Sequence, residues 1–153
     1  MKHKSITLLI YVLTLFSMST NIYGEDVNWK VLEVHSSIEV NQEVSTVPEG
    51  WQPSKEESKH ILAGITIFDG RPEEMVSLVY DSEVKQQSKH RMILGWKLFP
   101  NTKDGIWIRC SYSSTNMGLS APVPTKAKEI RVVYDTNIHI DGLPQIVQIE
   151  YRE

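Results

Sequence analysis

Cys110, in "GIWIRCSYSSTN" (105–116), is the one cysteine in 153 residues. A lone thiol can be a nucleophile, a lipid attachment point, half of a bond to another chain, or core filling. Nucleophilic use needs a cationic or helix-N-terminal setting open to solvent, whereas Cys110 alternates with Ile106, Ile108 and Tyr112, and no cysteine-enzyme motif surrounds it. Buried small hydrophobe is the reading this pattern supports, with an intermolecular disulfide as the alternative in an oxidising compartment. The histidines of the main body, His35, His60, His90 and His139, stand singly, without the convergent spacing a metal needs. In "DTNIHIDG", Asp135, Asn137, His139 and Asp141 fall at alternate positions like a calcium loop, but glycine stands at the eighth place and Ile146 at the twelfth. Glu56–Glu57 and Glu73–Glu74 are neighbours in charged stretches, where carboxylates stay solvated and unsuited to acid–base work. Ser113, Ser114 and Thr115 read as turn hydroxyls. The expectation is no catalytic residue, no metal and no cofactor.

Tryptophan is the remaining resource. Exposed indoles stack on sugars or anchor protein interfaces. Core packing is expected for Trp96 and Trp29, and Trp51, in the long "PEGWQP" loop, is expected to staple that loop to the core, with ligand contact as the alternative. Trp107 lies on the strand face opposite Cys110 and is left open.

The elements that must position these residues are short strands. Runs of alternating or β-branched residues, broken by Gly, Pro, Asn and Asp about every ten residues, are the pattern of a β-sheet domain. The predicted strands are 28–34, 37–44, 61–68, 75–80, 91–99, 106–112, 117–121, 130–134 and 145–152. "IWIRCSY" puts Ile106, Ile108, Cys110 and Tyr112 on one face and Trp107, Arg109 and Ser111 on the other; "IVQIEYR" puts Val147, Ile149 and Tyr151 together. Such faces need a second layer, which predicts an all-β single domain, an antiparallel two-layer sandwich or curled sheet, with one short helix allowed. "PNTKDG" (100–105) and "DTNIHIDG" (135–142) carry hairpin-turn chemistry. Ser54 and Glu57 have capping-box spacing for a short helix from about Lys55, and Pro72 could open a second, although "MVSLVY" fits a strand equally well.

The first residues form a basic start (Lys2, Lys4), an apolar run from Ile6 to Phe16 and a polar end, the layout of a cleavable signal peptide. That run is too short for a membrane span, which needs about 20 residues. Cleavage is expected after Gly24, with Ser19 as the alternative, leaving a periplasmic domain of 25–153 without a membrane anchor; no cysteine follows either point, so lipid attachment is excluded. The formal charge of −3 becomes about −5 once Lys2 and Lys4 are removed, which argues against nucleic acid and leaves room for a basic protein partner.

Four stretches carry a resemblance: "IEVNQEVSTVPEGWQPS", "LAGITIFDGRPEEMVSLVYDSE", "WKLFPNTKDGIWIRCSYSSTNMGLSAPVP" and "IRVVYD". With Gly50–Trp51, "FDG" and "PEE" from Phe68 to Glu74, and the arrangement of Trp96, Leu98, Trp107, Cys110 and Tyr112, the chain from Ser37 to Tyr151 resembles a family of small exported Gram-negative proteins of uncharacterised function. Some members are encoded among type VI secretion genes. Members tend to carry further cysteines, where this chain reads "HSSIEV", "KEIRVVYD" and "IEYRE"; the resemblance implies that Cys110 is the survivor of a bonded pair.

The resemblance and the export signal together imply a periplasmic immunity protein that neutralises a type VI effector by association, the partner being a basic, peptidoglycan-active enzyme. The expected contact elements are 100–105, 113–116 and 135–142, with Asp104, Ser113, Ser114, Asn116, Asp135, His139 and Asp141, together with Trp51, as contact residues. The alternative is a glycan- or peptidoglycan-binding envelope module using Trp51 or Trp107. A hydrolase finds no nucleophile, metal set or poised acid–base pair in the sequence.

Overall fold

The computed structural model describes residues 28–41, 43–54, 59–101 and 103–153. Among these residues nine strands follow one another: β1 (Lys30–Val31), β2 (Ser37–Glu39), β3 (Lys59–Asp69), β4 (Ser82–Gln86), β5 (Arg91–Lys97), β6 (Ile106–Tyr112), β7 (Gly118–Pro122), β8 (Glu129–Ile140) and β9 (Leu143–Arg152). They form a five-stranded sheet, β1-β9-β8-β5-β4, and a four-stranded sheet, β2-β3-β6-β7, with every pairing antiparallel. The fold is therefore the expected all-β pair of layers.

The alternation of β6 places its four predicted residues inward, where Ile106 and Ile108 meet Ile67 of β3 and Ile130, Val132 and Ile149 of the facing sheet. Burying each such aliphatic side chain contributes roughly 1.5–3 kcal/mol, and this layer fixes the two sheets against each other. Leu62, Cys110 and Tyr112 form a second, smaller core with Val34, Ile38 and Ile146 packed on it.

Several expected boundaries move. The segment 75–80 is not a strand: it meets β3 through one bridge, Ser77 to Phe68. Met75 takes a left-handed φ of 60° after a 3₁₀ turn, Pro72–Glu74, which Pro72 opens as anticipated, and this turns the chain away from extended pairing. The strand in this region is β4, "SEVKQ", whose polar sequence suits an edge. The first two strands shrink to Lys30–Val31 and Ser37–Glu39. Val147 does not join Ile149 and Tyr151. Pairing steps from Val133–Gln148 to Tyr134–Ile146, so Val147 is the extra residue of a bulge, exposed, and Ile146 takes the inward position instead.

The expected turn at 135–142 is mostly strand. β8 continues to Ile140, and only Asp141 and Gly142 turn, both with positive φ (51° and 80°), in the two-residue primed hairpin that "DG" favours. The helix expected from Lys55 falls on 55–58, outside the described residues, and β3 begins at Lys59; the signal segment also lies outside them.

Candidate functional site

Two of the predicted contact turns are brought together. The turn after β6 is held on β3 by a reciprocal pair of backbone and side-chain bonds: Ser113 N–H donates to Ile61 O at 2.8 Å, and Ile61 N–H to Ser113 Oγ at 3.0 Å. His60, only 2 % exposed, directs Nδ1 to the Ser113 carbonyl at 2.7 Å. Ser114, at φ 56°, donates its N–H to Asp141 Oδ2 at 3.2 Å, which ties this turn to the β8–β9 hairpin. Ser113 is thereby a brace, while Ser114, Asn116, Asp141 and His139 are exposed at one end of the molecule. Asp135 lies farther down β8, half-buried opposite Arg91, with Oδ1 accepting from Asn137 N–H at 2.9 Å.

Asp104 lies apart from this group. It precedes the other end of β6, seven residues of strand away, or roughly 20 Å. There the 100–105 loop is anchored by Asp69, a buried carboxylate that accepts from Asn101 N–H at 3.1 and 3.2 Å and from Asn101 Nδ2 at 3.0 Å. Asp104 pairs with Arg71 at 3.7 Å, and its carbonyl accepts from Trp107 Nε1 at 2.9 Å.

The tryptophans divide differently from the expectation. Trp96 is core, with Nε1 donating to Leu78 O at 3.2 Å. Trp29 is not; it is half-buried, with the Arg131 and Arg152 guanidinium groups 4.1 and 5.6 Å from its ring centroid. Those arginines pair with Glu150 and Glu129 across β8 and β9, an arrangement of charges over an indole that requires strand register to be seen. Trp51 does not staple its loop to the core: it is 75 % exposed, since the loop closes on itself through Trp51 N–H to Pro48 O at 3.1 Å.

Cys110 is 4 % exposed, and burial pushes its thiol from an ordinary value of 9.0 up to about 11. A thiol held protonated and covered is a poor nucleophile at neutral pH. Among the described residues no three of His, Cys, Asp and Glu gather as a metal would require, and no helix is long and apolar enough to cross a membrane.

Residues 55–146 match the type VI secretion system Tli immunity protein family. The chain belongs to that family. The matched span runs from the start of β3 into β9 and contains all three turns at 100–105, 113–116 and 135–142, whereas Trp29 and Trp51 fall outside it. No curated protein and no solved structure matches the chain.

Proposed function

We propose that this chain is a periplasmic immunity protein that binds its cognate type VI effector and blocks it by association, without catalysis. The observation that carries the reading is the family match over residues 55–146, which spans β3 to the start of β9 and includes the three turns expected to make contact. Rigid turns suit this work because a preorganised surface loses little conformational freedom on binding. The narrower reading of the partner, a basic peptidoglycan-active enzyme, rests on the export signal and the net acidic charge, since opposite charge speeds encounter.

The test is to direct the neighbouring type VI effector to the periplasm of a sensitive host, with and without this chain. Full protection, a stable complex of the two purified proteins, and a mature N-terminus at residue 25 in the periplasmic fraction are expected. Lysis unaffected by the chain, with no complex formed, would refute the reading. Assaying the captured effector on peptidoglycan and on phospholipid tests the narrower claim. The exposed ring of Trp51 favours a second reading as a glycan-binding module; it predicts binding of peptidoglycan fragments that Trp51→Ala abolishes, and calorimetry without heat of binding would retire it.

A further inference from the structure

The four-stranded sheet curls without closing. β2 and β7 are its opposite edges, yet they line one cleft of about 530 Å³, with Ile38 and Glu39 on one wall and Met117, Gly118 and Leu119 on the other. A second cavity of about 330 Å³ continues it between the segment after β1 (Leu32–His35) and the rest of β7, floored by Ile108, Cys110 and Tyr112. His35 and Leu119 border both. Tyr112 Oη donates to His35 O at 3.0 Å and so holds the far wall in place.

Hydrogen-bond parity tells which groups of β7 face this seam. Val123 N–H donates to Ile106 O at 2.8 Å, which continues the β6–β7 register as a hydrogen-bonded pair. Because such pairs alternate along an antiparallel ladder, Ala121 and Leu119 spend their backbone groups on β6, while Gly118, Ser120 and Pro122 turn theirs outward. Pro122 has no N–H to leave unpaired there. Gly118 and Ser120 present both donor and acceptor along an edge that no other strand among the described residues pairs.

The side chains agree. Leu119 and Ala121 lie opposite Cys110 and Ile108 and share their inward face, but Leu119 is 43 % exposed where Cys110 and Ile108 are buried. An inward leucine this open lacks the next strand of the curl. The seam's carboxylates, Glu33 and Glu39, and its imidazole, His35, all lie on the β2 side, and the β7 wall carries no ionisable side chain. Lys59 stands beside Glu39 across β3 and leaves the acidic balance of the lining to Glu33.

We propose that this seam receives an extended segment of the effector as a strand added to β7, with apolar side chains over Leu119 and Ala121 and a lysine or arginine toward Glu33. Main-chain bonds to an open edge supply affinity in such additions, and the alternating pockets supply specificity. The inference rests on the immunity reading, and adds to it which surface binds and in what form.

The test uses the mature chain and the purified effector of the neighbouring type VI gene. Ser120→Pro removes the outward N–H without touching the β6 ladder, and Leu119→Lys places a cation where the occupant is to lie. Each is expected to weaken effector binding tenfold or more, with Val84→Ala, on β4 of the other sheet, unchanged. Hydrogen exchange on the unmodified complex is independent of how the variants fold: the Gly118 and Ser120 amides should slow on effector binding. Wild-type binding with these amides as fast as in the free chain would overturn the seam proposal and leave the immunity reading standing. Their protection in the free chain, rising with its concentration, would assign the seam to a second copy and likewise overturn it. No binding by the wild type would remove both.

Discussion

Titrating the protein into the alkaline range tests the buried thiol. In the folded chain Cys110 titrates near pH 11, against 9.0 for an ordinary thiol, because burial opposes the thiolate. Unfolding exposes it. Between these values the unfolded state holds fewer protons than the native one, so the stabilisation is present below pH 9 and is lost as pH rises toward 11. At pH 10 the loss from this group is on the order of 1 kcal/mol relative to pH 8, and it approaches roughly 3 kcal/mol above pH 11, from about 1.36 kcal/mol for each pH unit between the two values. Tyr134, raised by burial to about 12, adds little below pH 10 and more above it. The assay is urea unfolding at pH 8, 9, 10 and 10.5 for the wild type and Cys110→Ala. The variant starts less stable, but its slope against pH should be shallower by that amount. Parallel slopes, or rapid reaction of the native thiol with a disulfide reagent at pH 8, would refute the argument.

Three further outcomes follow from packing and hydrogen bonds. Asp69→Ala strands the Asn101 N–H and amide that the carboxylate accepts from, and should cost about 2–3 kcal/mol in urea unfolding, with increased proteolysis at 100–105. Gly118→Ala sets a Cβ 2.8 Å from the Cys110 carbonyl oxygen, a backbone atom that cannot step aside, so a loss of about 1–3 kcal/mol and faster exchange along β7 are expected. Tyr112→Phe deletes the bond to the His35 carbonyl and should lower stability by about 1 kcal/mol, with faster exchange at residues 32–38.

How much of this was legible depended on whether a residue's neighbours in sequence were also its determinants in space. β6 reads cleanly because it is a central strand with one face on the core, so burial imposes strict alternation on "IWIRCSY". β4 does not, because "SEVKQ" lies at an edge and no buried face imposes a pattern. The Val147 bulge escapes a period-two count by construction: one inserted residue exchanges inward for outward, and no local signal marks it. The tip "DG" was legible as turn chemistry, but the strand running to it was hidden by the polar residues of the irregular stretch between Asp135 and His139. Each turn expected to make contact could be read alone, while the Ser114–Asp141 bond that joins two of them, and the strand that separates Asp104 from both, belong to topology. Leu119 looked like an ordinary alternating residue; only the curl of the sheet leaves it uncovered.

The four sheet edges differ in how they are guarded, and the difference bears on function. Open edges invite pairing with other chains and are commonly blunted by shortness, charge or proline. β1 and β2 have two and three residues. β4 is longer but carries the Glu83–Lys85 ion pair at 2.8 Å, and added strands must desolvate such charges. β7 has five residues, "GLSAP", none charged, and proline guards just its final position. A chain that protects three edges and leaves the fourth apolar-walled, and unpaired among the described residues, has a surface with the chemistry to accept a strand. For a member of an immunity family, an edge left open in this way would cost little if the effector covered it, because that same exposure would supply main-chain bonds and apolar area to the proposed complex.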